Sequence, residues 1–225
     1  MDNYVITISR KFGSLGHQIA GELGRRLEIP VYDRSCVEAQ VQSRGLENRM
    51  QAGAQSRGMT VPDHASWRRQ EAETTGRDKQ KSIFPWTRDQ KAEQDKEARA
   101  MFDAQAEVLR GYVRESSCII LGRGGDEVFR GYKRCLNVYI FAPDRVRIEN
   151  CVRMLNTDEQ AARALIRRED KARDAYRAMF CTKASDPTYG RQLLIDTSIF
   201  GVDESTKILE EAVRYLFYDN AKTET

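Results

Sequence analysis

Gly13, Ser14 and Gly16 lie between an apolar run, Val5 to Ile8, and the residues Ile19, Ala20, Leu23 and Leu27, which recur at helical spacing. A glycine loop that joins a strand to a helix brings the backbone N–H groups of Gly13, Ser14, Leu15, Gly16 and His17 together beside a helix N-terminus. Partial positive charge and donors without intrahelical acceptors make such a point suited to phosphate. Against the P-loop pattern G-x-x-x-x-G-K-[ST], Gly16 takes the second glycine, while Lys11, His17 and Gln18 occupy the first glycine, lysine and hydroxyl positions. The Ser14 hydroxyl can add a donor, and Arg10 or Lys11 can bring the positive charge that the absent lysine lacks. A tight turn with a solvated His17 is the plainer alternative.

Three further groups could do related chemistry. Asp33 follows Ile29-Pro-Val-Tyr32, so it falls at the C-terminal end of a strand, where it could orient a substrate or a hydrated metal, or simply cap a helix. Arg123 stands in Ile119-Ile-Leu-Gly-Arg-Gly-Gly-Asp126, a strand running into a glycine-rich turn, where a guanidinium could clamp a phosphate with two parallel hydrogen bonds. Arg163, Arg167, Arg168, Asp170, Lys171, Arg173 and Arg177 crowd one helix, with Asp170 and Arg173 a turn apart on one face. Charged helix faces are commonly just solvated. This density, followed by Tyr176 and Lys183, also fits a lid over residues 163–183 that stabilises charge on a phosphoryl group in transfer.

The elements that must hold these residues are legible from the apolar pattern. Tyr4 to Ile8, Val31 to Tyr32, Cys118 to Leu121, Val138 to Phe141 and Leu193 to Ile195 read as buried strands. Residues 91–115 and 144–155 carry apolar side chains at close to 3.6 spacing. Thr157 with Gln160 is a capping-box pattern that opens a helix running to about Phe180, and Asp203 can cap a last helix bearing Leu209, Val213 and Phe217. Strands alternating with helices imply a parallel sheet in an α/β fold.

Residues 41–90 break the pattern: polar, short of apolar residues, and carrying both Trp67 and Trp86. Such a segment is either a mobile or partly disordered insertion or a cover for a substrate. The chain of 225 residues therefore reads as one α/β domain, 1–225, with an insertion. With 37 basic and 34 acidic residues, the net charge of +3 is too small to indicate duplex nucleic acid as a partner. The cysteines are odd in number, five, and lack a C-x-x-C pair, so a reducing cytoplasmic setting is expected. A start that enters a strand directly, with no long apolar run, points away from secretion and membrane spanning. The oligomeric state is not legible.

Taken in order, these motifs resemble the cytidylate kinase-like family of P-loop nucleoside monophosphate kinases, over about residues 3–38 and 95–218. The resemblance rests on Ile8-Ser-Arg-Lys-Phe-Gly-Ser14 with Gly16, on Tyr32-Asp33, on Gly122-Arg123, on Asp170 with Arg173, and on Ile195-Asp-Thr-Ser198. It implies a three-layer P-loop kinase fold with a five-stranded parallel sheet, using ATP and Mg²⁺ to phosphorylate a nucleoside monophosphate, CMP first among them. Residues 10–18 would then hold the donor phosphates, Arg123 the acceptor phosphate and Asp170 its sugar. Arg173 would stabilise the charge in transit, and Asp33 would be a candidate metal ligand. Gly124 replaces the aspartate of the family's G-R-D, and Ile166 falls where its first lid arginine would be, so Arg167 is the substitute by a shift of register. The alternatives are a nucleotide-binding module without turnover, an interaction protein that docks through residues 41–90, and a kinase for another small phosphate acceptor.

Overall fold

The first strand, β1 (Val5–Arg10), is buried from Val5 to Ile8, and this burial organises the sheet around it. In the computed structural model, which describes residues 3–43, 88–183 and 186–219, β1 is the central member of a five-stranded parallel sheet. The other strands are β2 (Val31–Tyr32), β3 (Cys118–Leu121), β4 (Cys135–Phe141) and β5 (Leu193–Asp196), in the order β2-β3-β1-β4-β5. Ile8 registers with Leu121 on one side and Val138 on the other, and Ile140 pairs with Ile195. Strands covered on both faces need apolar side chains on both, which is why they read as unbroken runs. Thr7 and Asn137 are the buried polar exceptions, and they satisfy each other through a 2.6 Å hydrogen bond.

One face of the sheet is covered by α1 (Gly16–Leu27) and α7 (Thr197–Arg214). Ile19, Ala20 and Leu23 of α1 meet Leu209 and Val213 of α7 over Ile6, Ile8, Leu121 and Ile140. Tyr4 stacks on Phe217 at 4.7 Å between ring centroids, closing the end of this core. A second cluster joins α5 (Asp144–Leu155) to α6 (Glu159–Phe180) through Ile148, Cys151, Ala162 and Ile166, with Phe12 of the glycine loop packed against it. A short helix, α4 (Gly125–Val128), follows the turn after β3. The chain divides into two compact units, Met1–Val37 with Ala106–Thr225, and Glu38–Gln105. The helices α2 (Arg34–Ser43) and α3 (Arg88–Glu115) each contribute to both, and Val41, Ala98 and Phe102 are buried in the second unit. Of the insertion read over 41–90, residues 44–87 with Trp67 and Trp86 lie outside the described residues.

Two helix starts differ from expectation. Asp158, not Thr157, caps α6, its carboxylate accepting from Ala161 N–H at 2.8 Å, because an aspartate one residue nearer the helix outcompetes the hydroxyl. Asp196 caps the first turn of α7 through Ser198 N–H at 2.9 Å, directly at the end of β5, and the part bearing Leu209 and Val213 resumes after a break at Gly201, beside Asp203, which was expected to cap it. Asp203 instead pairs with Arg26 and Lys207. The five cysteines are free thiols. Among the described residues no helix is long and apolar enough to cross a membrane.

Near its start α7 is interrupted at Gly201, whose backbone sits at φ 64° and ψ −163°. Only glycine adopts this region readily, at about 1–3 kcal/mol for other residues. No heavy atom lies within 4 Å of where a Cβ at Gly201 would sit, so backbone strain is the whole effect of adding one. Gly201→Ala is expected to lower stability by about 1–3 kcal/mol. Urea denaturation checks this as a lower midpoint with an unchanged slope.

Candidate functional site

The loop between β1 and α1 is fixed from its own sequence outward. Lys11 N–H donates to Ile140 C=O at 3.0 Å, carrying the strand pairing past Arg10. Ser14 is fully buried, and its hydroxyl donates to Lys11 C=O at 2.8 Å with Ile140 C=O at 3.2 Å. Where Ser14 was expected to offer its hydroxyl to a phosphate, the buried hydroxyl closes the loop instead, because a buried donor needs an acceptor and these two carbonyls are the ones within reach. Gly13 has φ 77°, and a Cβ there would lie 2.7 Å from the carbonyl of Arg147. Gly16 is needed for a second reason, since its Cβ would approach Arg10 Cβ to 2.9 Å. Leu15, at the N-cap of α1, is held left-handed at φ 61° and offers no capping oxygen, and no acid sits in the first helical turn. The helix start therefore presents backbone donors to whatever anion enters.

Arginines from three elements meet at this loop. Arg10 leaves the end of β1 and runs beside Gly122, where a Cβ would overlap its Nη1. Arg173 of α6 donates to Arg10 C=O at 3.2 Å and lies over the Phe12 ring at 5.3 Å. Arg123 is left-handed at φ 58°, with its guanidinium 4.7 Å above the Tyr176 ring. Burial pushes the Arg10 guanidinium down to about 9, with Arg173 and Arg123 adding to the push and Asp33 opposing it. Burial likewise lowers Arg173, partly offset by Asp170 and Glu169. A cation disfavoured in this way gains most when an anion arrives.

The carboxylates have structural duties. Asp170, expected at an acceptor sugar, instead accepts from Phe12 N–H at 2.9 Å and from Arg147 Nη1 at 2.6 Å, tying α6 to the glycine loop. Its proximity to the loop favours this role, since turning away would leave the Phe12 N–H without its acceptor and Arg147 with only Asp144 as a carboxylate partner. Asp33 caps α2: its Oδ1 accepts from Ser35 N–H at 2.9 Å, Ser35 hydroxyl at 2.6 Å and Cys36 N–H at 3.2 Å. Burial works to raise the Asp33 pKa, yet these bonds from Ser35 and Cys36 hold it below the usual carboxylate range. Lys11, weighed as a phosphate cation, is turned toward Asp174 at 3.4 Å and Asp170 at 3.9 Å, where two acids draw it to α6.

The remaining expected residues sit at the rim. His17 and Gln18 are exposed in the first turn of α1, with the Gln18 amide nitrogen 3.8 Å from Met154 Sδ. Arg167 is exposed along a groove of about 590 Å³ that it shares with Arg147, Ile166 and Asp170, and it is not among the charges that act on Arg10. Ile166 belongs to the core between α5 and α6. Two braces escaped the sequence reading. Arg147 donates to Phe12 C=O at 3.1 Å, and Asn150 donates to Gly13 C=O at 2.9 Å. Their signal was two polar residues one turn apart on the otherwise apolar face of 144–155.

The donor set can be tested for Mg²⁺, which takes one or two carboxylates and completes its shell with water and phosphate oxygens. Asp33 offers the one oxygen not used as a cap, and among the described residues no group of three His, Cys, Asp or Glu could hold a metal by itself. That matches a metal carried in with phosphates. A parallel sheet in the order β2-β3-β1-β4-β5, with a glycine loop opening α1 and arginines over it, defines a P-loop phosphotransferase of the kinase type. The chain belongs to the cytidylate kinase-like family, whose pattern matches residues 5–199. No curated protein matches it. A crystal structure from Eubacterium ventriosum ATCC 27560 is similar at 17% identity, covering 94% of this chain and 98% of that one, with a TM-score of 0.62. TT1252 from Thermus thermophilus is similar at 13% identity, covering 96% and 99%, with a TM-score of 0.53.

Removing Asp170 leaves the Phe12 N–H without its acceptor and the buried Arg147 guanidinium with only the exposed Asp144 as its carboxylate, so Asp170→Ala is expected to cost about 2 kcal/mol. Pairing Asp170→Leu with Arg147→Met should recover at least half of the loss, because the buried guanidinium is then removed together with its partner. Urea midpoints of the two proteins check this.

Proposed function

We propose that this chain transfers the γ-phosphoryl group of ATP to a nucleoside monophosphate, with CMP as the acceptor. The observation that supports this reading best is the meeting of Arg10, Arg123 and Arg173 at a glycine loop whose helix start has no acidic or capping side chain. Phosphoryl transfer needs little covalent chemistry from a protein; it needs positioning and fixed positive charge where negative charge develops. The backbone N–H groups from Gly13 to Gln18 would take the donor phosphates. Arg10 supplies, from the strand end, the charge that His17 does not bring. Arg123, held over Tyr176, would take the acceptor phosphate, and Arg173 would lie between the two. Mg²⁺ would neutralise donor phosphate charge, with Asp33 as its protein ligand.

A second reading has its own support. His17 and Gln18 stand at the lysine and hydroxyl positions and are exposed, so the helix start lacks a mobile cation and a hydroxyl metal ligand. That favours nucleotide binding without turnover.

A coupled assay with ATP, Mg²⁺ and a panel of nucleoside monophosphates separates the readings, alongside calorimetry for ATP. The kinase reading expects turnover that is fastest with CMP; ATP binding with no turnover of any acceptor selects the silent module. Where turnover is seen, Arg173→Gln is expected to reduce kcat by about 10²–10³-fold, the loss typical of one transition-state donor, with KM for ATP changed less than threefold. Gly122→Ala, which displaces Arg10, is expected to raise KM for ATP and to lower kcat.

A further inference from the structure

Away from the loop, a partly open cavity of about 160 Å³ lies at the foot of α6, lined by Asp126, Arg130, Asn137, Arg177, Tyr189 and Gln192 among others. At about 10–15 Å³ for each water, it has room for a small organic anion. The charges around it do not balance. The Asp126 side chain is buried and bonds Arg177 at 2.9 Å, with Arg191 3.6 Å from the same carboxylate. The Arg191 side chain is 2% exposed and lies 4.7 Å over the Tyr139 ring. Glu127 cannot help, because it is taken by Arg130 and by Thr182 N–H. One carboxylate thus serves two buried guanidiniums. The Nε atoms of both Arg177 and Arg191 are buried without a hydrogen-bond partner among the described residues. Burial and the neighbouring Arg177 also push Arg191 down. Unpaired buried donors in a native protein call for an unseen water or ion.

We infer that this cavity is a second anion site, independent of the loop, which takes a small oxyanion, the phosphate or carboxylate group of a small molecule, beside Arg130 and Arg177. Tyr189, Asn137 and Gln192 would hydrogen-bond its remaining oxygens or substituents. Arg177 lies one turn beyond Arg173 on α6, so an occupied site would also stiffen the lid helix.

The test uses the full chain carrying Arg10→Gln and Arg123→Gln, which removes the loop cations. Inorganic phosphate and malonate are titrated separately by calorimetry, and the arginine Nε–H signals are followed by NMR. At least one of the two anions is expected to bind and to shift the Nε–H signals of Arg177 and Arg191. Adding Arg130→Gln, a change at a side chain 41% exposed that leaves the core alone, is expected to weaken that binding at least threefold. Binding of phosphate alone identifies a phosphate site, and binding of malonate alone a carboxylate site. The inference is overturned if neither anion binds, if the two Nε–H signals stay in place, or if Arg130→Gln weakens binding less than threefold.

Discussion

The Asp170 carboxylate is the contact on which the rest of the site depends. It is the point at which α6, the glycine loop and α5 are joined, through Phe12 N–H on one oxygen and Arg147 on the other. Arg147 passes the connection on to Phe12 C=O, and Asn150 takes Gly13 C=O, so the loop is gripped by its backbone on both sides of the bend. With the loop held in this way, Arg173, one turn along from Asp170, can reach Arg10 C=O and lie over Phe12. A cation placed by a neighbour's fixed contact costs no reorganisation when charge develops beside it.

The other acids obey the same economy. Asp33 caps α2, Asp126 binds Arg177, and Asp174 draws Lys11 aside. Each acid is spent on holding an element in place, which leaves the space beside the loop with cations in excess. Two like charges about 4 Å apart repel by roughly 4 kcal/mol at the effective dielectric of a protein surface. Packing must sustain that cost, and in the lowered Arg10 guanidinium the repulsion from Arg173 and Arg123 adds to the larger effect of burial. Glycine at 122 suits this arrangement, because its backbone sits at φ 80° and a Cβ there would meet the end of the Arg10 side chain.

Much of this was legible in the sequence for a physical reason. Parallel strands buried on both faces must be apolar throughout, so all five were readable, and α5 was found at its observed bounds, Asp144–Leu155. The glycine loop and the shared face of Asp170 and Arg173 were readable because spacing along the strand-to-helix junction and along one helix sets them, whereas the meeting of Arg10 with Arg123 and Arg173 depends on contacts between distant elements. What could not be read depends on contacts across long stretches of chain. Whether Ser14 turns inward is decided by Ile140, and whether Asp170 meets a sugar or the loop is decided by Arg147 and Phe12. The choice between Asp158 and Thr157, or Asp196 and Asp203, turns on a displacement of the helix start that propensity does not resolve.

Where the positive charge is stored has a consequence for how such a site works. A lysine at the start of a helix sits on a flexible stem and can follow a phosphoryl group as it moves. Here that position is held by His17, and the charge resides on Arg10, buried at the end of β1 with its stem against Gly16. Under the proposed kinase reading, a guanidinium held at the strand end would face donor and product phosphates alike, so its share would be uniform binding more than selective stabilisation of the transition state. The selective part would then fall to Arg173, because it alone of the three arginines is carried on the helix that Asp170 attaches to the loop.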